Sequence, residues 1–226
     1  MTATVRLDMH VHSRHSPDGR VPLERWVNQL GYVGLQGFAL TDHNSIEGHG
    51  RLRELAREYP MYRFLPGVEV STREGHLLVY GVAERPPVHR PLAETLDWVR
   101  ARGAVSVLAH PFRWAHGVGR RVADRALADG VEAMNGHNAE IANARAELVA
   151  ARRNLAATGG SDAHEVRDLG RAFTEFPADV ASVDDLLAAL RRRSVHGGGT
   201  SLSFARRIQL GVRTGLLRAA RGFRAI

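Results

Sequence analysis

Three features of the 226-residue chain predict an α/β fold around a largely parallel sheet. Short apolar runs alternate with segments of helical period along its length. The composition, 44% apolar and 24% charged, is that of a globular domain. Histidines and carboxylates recur where the apolar runs stop, and in barrel folds the strand ends converge on one mouth.

Taken in order, Val5–Val11 reads as a strand and Pro22–Val33 as a helix with proline near its start. Phe38–Thr41 is a second strand and Ile46–Glu58 a second helix. Phe64–Val70 and His76–Val82 are strands joined by only five residues, Ser71–Gly75. That is too short for a helical crossover, so the two pair as a hairpin. Pro91–Arg102 is a helix, Ala104–Ala109 a strand, Val131–Met134 a short strand and Ala139–Arg153 a helix. Ala156–Gly159 is a strand, and Gly170–Phe176 is extended. Ser182–Arg193 closes the series as a helix, with Ser182 at its N-cap and Asp184 and Asp185 in its first turn. One domain is expected over residues 1–203, with 204–226 as an appendage.

Composition excludes several classes. With no cysteine, a disulfide scaffold is out. No apolar run approaches the ~18 residues of a membrane span. Met1–Asp8 has no apolar core of signal-peptide length, so a cytoplasmic location is expected. All 31 basic residues are arginine, which we read as codon bias and not as a statement about partners. The net charge of +7 is local: Arg206, Arg207, Arg213, Arg218, Arg221 and Arg224 follow Phe204, and no acidic residue does. The remainder is nearly neutral, so the basic balance does not make the whole chain a nucleic-acid binder. On a helical projection these arginines oppose Phe204, Ile208, Val212, Leu216, Ala219 and Phe223. The tail thus reads as a basic amphipathic helix. It either packs on the domain, helps bind nucleic acid or another polyanionic partner, or lies on an anionic membrane surface.

The polar residues at strand ends define the chemistry. His10 and His12 end the first strand at positions i and i+2, which share a face. Asp18 lies in the turn that follows. Asp42-His43 ends the second strand, Glu69 the third, and His76 opens the fourth. His110 ends the fifth, and Asp162-x-His164 follows the last. One such pair means little, but recurrence at nearly every terminus points to a polynuclear metal site. Nitrogen and oxygen ligands without sulfur suit zinc, manganese or iron. Nine ligands exceed one tetrahedral ion, and a carboxylate such as Glu69 can bridge two.

His10-x-His12, Thr41-Asp42-His43, Pro66-Gly67-Val68-Glu69, His110-Pro111 and Gly160-Ser161-Asp162-x-His164 resemble, in this order, the motifs of the PHP (polymerase and histidinol phosphatase) domain family. The resemblance runs from about Val5 to Phe176. It implies a distorted (β/α)7 TIM-like barrel whose site binds two to three divalent metal ions. Carried over by residue, it implies one ion on His10, His12, Glu69 and Asp162. A second would share Glu69 and take His76 and His110, and a third would take Asp18, His43 and His164. It further implies phosphate-ester hydrolysis by metal-activated water with no protein nucleophile. The expected substrates are phosphorylated small metabolites or nucleotides, including nucleotide bisphosphates and short oligonucleotides. The alternatives are an exonuclease acting on RNA or DNA ends, a histidinol-phosphatase-like activity, or a catalytically silent metal-binding regulatory module.

Other residues are placed by proximity. Arg113, just after His110, can grip a phosphate bidentately or form an ion pair. Arg171 carries the same two readings, and His15 could donate to a substrate. Asn135 ends the sixth strand and is expected to contact the substrate in or near the pocket, and Asp42 is read as a partner for an imidazole. Trp114 could cap a base. His49, His89, His116 and His196 lack a motif and read as ordinary surface or core histidines.

Overall fold

The computed structural model describes residues 4–201. The basic tail expected over 204–226 lies outside them. The described chain runs β1 (Thr4–Val11), α1 (Leu23–Val33), β2 (Gly37–Leu40), α2 (His49–Glu58), β3 (Arg63–Ser71), β4 (His76–Tyr80), α3 (Leu92–Ala101) and β5 (Val105–Leu108). It continues through α4 (Gly119–Ala123), β6 (Gly130–Asn135), α5 (Glu140–Arg153), β7 (Ala156–Gly160), β8 (Ala172–Pro177), α6 (Val183–Arg192) and β9 (His196–Gly199). No described helix is long and apolar enough to cross a membrane.

The strands form one sheet in the order β7-β6-β5-β4-β3-β2-β1-β8-β9. β1, β2 and β3 pair in parallel, as do β5, β6 and β7. β4 is antiparallel to both its neighbours, so the expected hairpin with β3 is present. β8 and β9 are antiparallel additions to the edge of β1. The sheet is therefore less parallel than expected, because β8 and β9 add two antiparallel pairs to the two that the β3–β4 hairpin brings. Beyond β7 the chain returns to β1: His12 N donates to Ala163 O at 3.0 Å and Ala163 N to His10 O at 3.2 Å. Near the same end of β7, Thr174 on β8 donates to Gly159 O at 2.9 Å and accepts from Gly159 N at 2.8 Å. These bonds nearly close the sheet into a barrel, in agreement with the expected fold.

Burial follows from sequence. Strands β2, β4 and β5 are buried throughout, as expected of strands covered on both faces. Inside, Leu7, Met9, Leu65, Leu78, Tyr80 and Val107 form a core continued by Leu186 and Leu190 of α6. That helix plugs one end of the barrel. Ser182 caps it as expected, accepting from Asp185 N in a capping box. Outside, Trp26, Leu30, Leu52 and Leu55 of α1 and α2 cover β1 and β2, while Leu96, Val99 and Val149 of α3 and α5 cover β4 to β6. The end opposite α6 is left for polar groups.

Besides the 3-10 turn Val166–Asp168, two elements were not anticipated. α4 is only five residues long, too short to show a period. β9 reads His-Gly-Gly-Gly, a composition depleted in strands. It pairs because a Cβ at Gly197 would sit 2.6 Å from Thr158 O, so only glycine lets the backbone come this close.

Candidate metal centre

The nine strand-end residues converge at the open end of the barrel. Glu69 is the hub, buried and flanked by five imidazoles that divide between its two oxygens. Oε2 lies 3.0 Å from His10 Nε2, 3.1 Å from His12 Nε2 and 3.3 Å from His43 Nδ1. Oε1 lies 2.7 Å from His76 Nδ1 and 2.9 Å from His110 Nε2. Asp162 Oδ1 faces His12 Nε2 at 3.3 Å and His10 Nε2 at 3.6 Å. Asp18 Oδ2 lies 2.9 Å from His164 Nε2 and 3.4 Å from His43 Nε2. The donor atoms of His10, His12, Glu69 and Asp162 form one group that could hold an ion, and those of His12, Asp18, His43 and His164 form another. His43 also groups with Glu69 and His76, so its ring stands between two clusters.

The backbone is arranged for this. Asp162 has φ 58° and His110 φ 28°, a left-handed region that side-chain-bearing residues seldom occupy. The register of β1 slips between Asp8 and Val11, and that of β6 between Glu132 and Met134. On a regular strand, residues three apart face opposite sides. The slip in β6 lets Glu132 and Asn135 meet, with Asn135 Nδ2 donating to Glu132 Oε2 at 3.0 Å.

Glu132 was missed in the sequence. It is buried, and its Oε1 lies 2.9 Å from His10 Nδ1 while its Oε2 accepts from His110 N at 2.7 Å. A carboxylate on Nδ1 fixes the His10 tautomer that turns Nε2 toward Glu69. The available signal was an acid in the middle of the otherwise apolar Gly130–Met134 run. Asp8, also overlooked, accepts from Ser161 N at 2.8 Å and Gly170 N at 2.9 Å, fastening the loop after β7 to β1. Burial pushes its carboxyl up to about 6. His137 joins a further group with Asp162 and His164.

The other expected residues sort as follows. Arg113 Nη2 lies 2.7 Å from Asp162 Oδ2 and donates to Asn135 Oδ1 at 2.7 Å, while its Nε donates to Asn138 Oδ1 at 3.0 Å. Its guanidinium is at the centre and half-buried. Asn135 is fully buried, so it holds Arg113 and Glu132 instead of facing a substrate. Asp42 does not partner an imidazole by hydrogen bond; its oxygens accept from Ser13 N at 2.5 Å and Ser13 Oγ at 2.8 Å, pinning the loop after β1. His15 sits apart from the cluster, with Nδ1 3.8 Å from Glu47, because the tight Ser13–Ser16 turn carries it toward α2. Arg171 is half-buried near Asp168 at 3.8 Å, and its Nε has no partner among the described residues. Trp114 is fully exposed.

The electrostatics favour cations here. Burial alone would raise Asp162, but His10 and Arg113 hold it well below its ordinary value. Glu69 is likewise held down against burial by His43 and His10. Burial opposes a charge on His12, yet Asp162 and Glu69 pull it up to about 10. His110 is pushed down to about 4 by burial and by Arg113, which keeps its imidazole neutral. His12 Nε2 and His43 Nδ1 are buried and lie near carboxylate oxygens without the alignment of a hydrogen bond. Ionised carboxylates, the neutral imidazole of His110 and inward-facing nitrogens without hydrogen bonds fit divalent metal ions, which would take the place of the proton that the carboxylates draw onto His12.

Comparison with known proteins agrees. A family profile described as "PHP domain" matches residues 8–118, and one described as "PHP-associated" matches 140–195. Among solved structures, a two-domain protein from Bacteroides vulgatus containing a predicted PHP-like metal-dependent phosphoesterase is similar with TM-score 0.74 and 20% identity. The match covers 88% of this chain and 65% of that one, just under two thirds of its length. PsfC from Pseudomonas syringae gives 0.68 at 21% identity, covering 96% and 98% of the two chains. The lesion-specific endonuclease PfuEndoQ from Pyrococcus furiosus gives 0.65 at 18%, covering 84% of this chain and 56% of that one. At these identities the structural likeness speaks for the fold.

Proposed function

The chain belongs to the PHP domain family, and from that premise we propose that it is a metal-dependent phosphoesterase acting on phosphorylated small molecules or nucleotides. The observation that carries this reading is the division of five imidazoles between the two oxygens of Glu69. In this reading His10, His12, Glu69 and Asp162 hold one ion, Glu69, His76 and His110 a second, and Asp18, His43 and His164 a third. Bound there, manganese, zinc or iron ions supply Lewis acidity and lower the pKa of water.

The chain's own residues do the rest. Glu132 holds His10 in the tautomer that faces Glu69. Asn135, Asn138 and Asp162 engage Nε and Nη2 of Arg113 and fix its guanidinium, which leaves Nη1 to meet a phosphate oxygen. Arg171, whose buried Nε has no partner among the described residues, is placed to add a second cationic contact. No protein nucleophile is required.

The test is phosphate release from nucleoside monophosphates and small sugar phosphates, and nucleotide release from short RNA, by protein loaded with manganese, zinc or iron. We expect turnover that Asp162→Ala/His164→Ala abolishes. Full metal loading without release from any ester would overturn the reading in favour of a silent metal-binding module. An exonuclease reading is kept because only 20 residues lie between His110 and Val131, which leaves no room there for a domain over the mouth. Its mark would be cleavage of RNA or DNA ends, with binding that weakens as salt rises.

A further inference from the structure

Seven described non-glycine residues have positive φ. Asn154 and Arg193 end α5 and α6, where left-handed backbone is usual. Asn44, His110 and Asp162 belong to the metal centre or adjoin it. The remaining two, His89 at φ 56° and His116 at φ 67°, line the same recess. Backbone held in such a region by its surroundings is a mark of functional sites.

The recess has a volume of about 290 Å³, and its wall includes Ser71, Thr72, Arg73, His76, His89 and His116. It adjoins the metal centre through His76, whose Nδ1 faces Glu69. The His116 ring is stacked on His76, with centroids 4.7 Å apart and planes 20° from parallel. Three separate segments are stitched together to make it. His76 N donates to His116 O at 2.9 Å, His89 N to Ser71 O at 2.7 Å, and Arg73 N to Arg90 O at 3.0 Å. A Cβ at Gly75 would lie 2.7 Å from His116 O, so glycine is needed for this approach. Arginine, imidazoles and hydroxyls dominate the wall. The acid there, Glu74, accepts from Leu92 N at 2.7 Å and is tied to the start of α3.

We propose that this recess is a second oxyanion subsite, which takes a phosphate or carboxylate carried by the leaving group. The substrate would then bear an anionic group beyond the phosphate that is cleaved. The proposal rests on the phosphoesterase reading above and names the substrate class that reading leaves open. Arg73 supplies the charge, and the imidazoles of His89 and His116 stand on the same wall as groups able to meet an oxyanion.

The test compares 3-hydroxypropyl phosphate, 1,3-propanediol bisphosphate and 3-(phosphonooxy)propanoate. Each is measured for kcat/KM and, by calorimetry, for Kd on metal-loaded protein, with Arg73→Gln and His89→Asn as variants. Asparagine tolerates the left-handed backbone at position 89. We expect one or both doubly anionic esters to be favoured by about tenfold, with the preference collapsing in Arg73→Gln. Phosphate favoured over carboxylate, or the reverse, identifies the anion. No preference in the wild-type chain, or a preference that survives both variants, overturns the subsite. Turnover without preference would sink the subsite alone; a preference in Kd without turnover would sink the phosphoesterase reading alone.

Discussion

Glu132 is the residue on which the centre leans without presenting its own oxygens to the cluster's hub. It accepts from His10 on one oxygen and from the His110 backbone and Asn135 on the other. Glu132→Gln keeps the volume but replaces one acceptor by a donor and removes a charge. Metal affinity should fall by roughly 10- to 100-fold with the fold retained, measured by chelator competition and circular dichroism. Unchanged affinity would show that the His10 tautomer is fixed elsewhere. His49 offers a test away from the centre. It is buried, its Nε2 lies 2.9 Å from Gly67 O, and burial lowers its pKa below the usual 6.5. Folded, it takes up a proton less readily than when unfolded. Its contribution to stability is therefore full above about pH 6.5 and is lost as pH falls through the lower folded value. His49→Gln should lose less unfolding free energy than the wild type between about pH 7.5 and 5.5. Identical slopes in urea unfolding would refute this. The same histidine shows a limit of motif reading: without a motif it looked ordinary, and it is an ordinary buried one, whereas His116, read the same way, stacks on His76.

Elements bring these residues together through irregularities. β7 ends in Gly159-Gly160 because β1 passes so close that a Cβ at Gly160 would lie 2.4 Å from His10 Cβ and 2.7 Å from its backbone nitrogen. Gly160→Ala should cost about 1–3 kcal/mol by denaturant unfolding and should displace His10, weakening metal binding as well. Full stability with full metal affinity would mean that β1 and β7 are not held in this contact. Strands β1 to β7, five of the six helices and the β3–β4 hairpin were legible because period, caps and a short link announce them. The slips in β1 and β6 were not, since a bulge leaves no mark in apolar alternation when both faces of a strand are buried. Asn135 was accordingly read as facing a substrate, although the slip turns it toward Glu132. Asp42 reads as an imidazole partner, but Ser13, immediately after His12, outcompetes the rings for its oxygens.

At the largest scale, the described residues form a nearly closed barrel plugged by α6 at one end and lined at the other by imidazole and carboxylate. That asymmetry was foreseeable, because the order of polar residues at strand ends is a property of sequence alone and a barrel brings those ends together. Which oxygen meets which ring was not, because it depends on left-handed turns at His110 and Asp162 and on the arginine held between Asp162 and Asn135. The fold accommodates so much buried charge because each carboxylate faces several nitrogens, and a divalent cation would complete that compensation. The measurement that reaches this claim most directly is metal content by plasma mass spectrometry on the purified chain after loading with manganese, zinc or iron, beside Asp162→Ala/His164→Ala. The account predicts two to three ions per chain in the wild type and at least one fewer in the variant. Less than one ion per chain with every metal, or equal content in the two proteins, would contradict it.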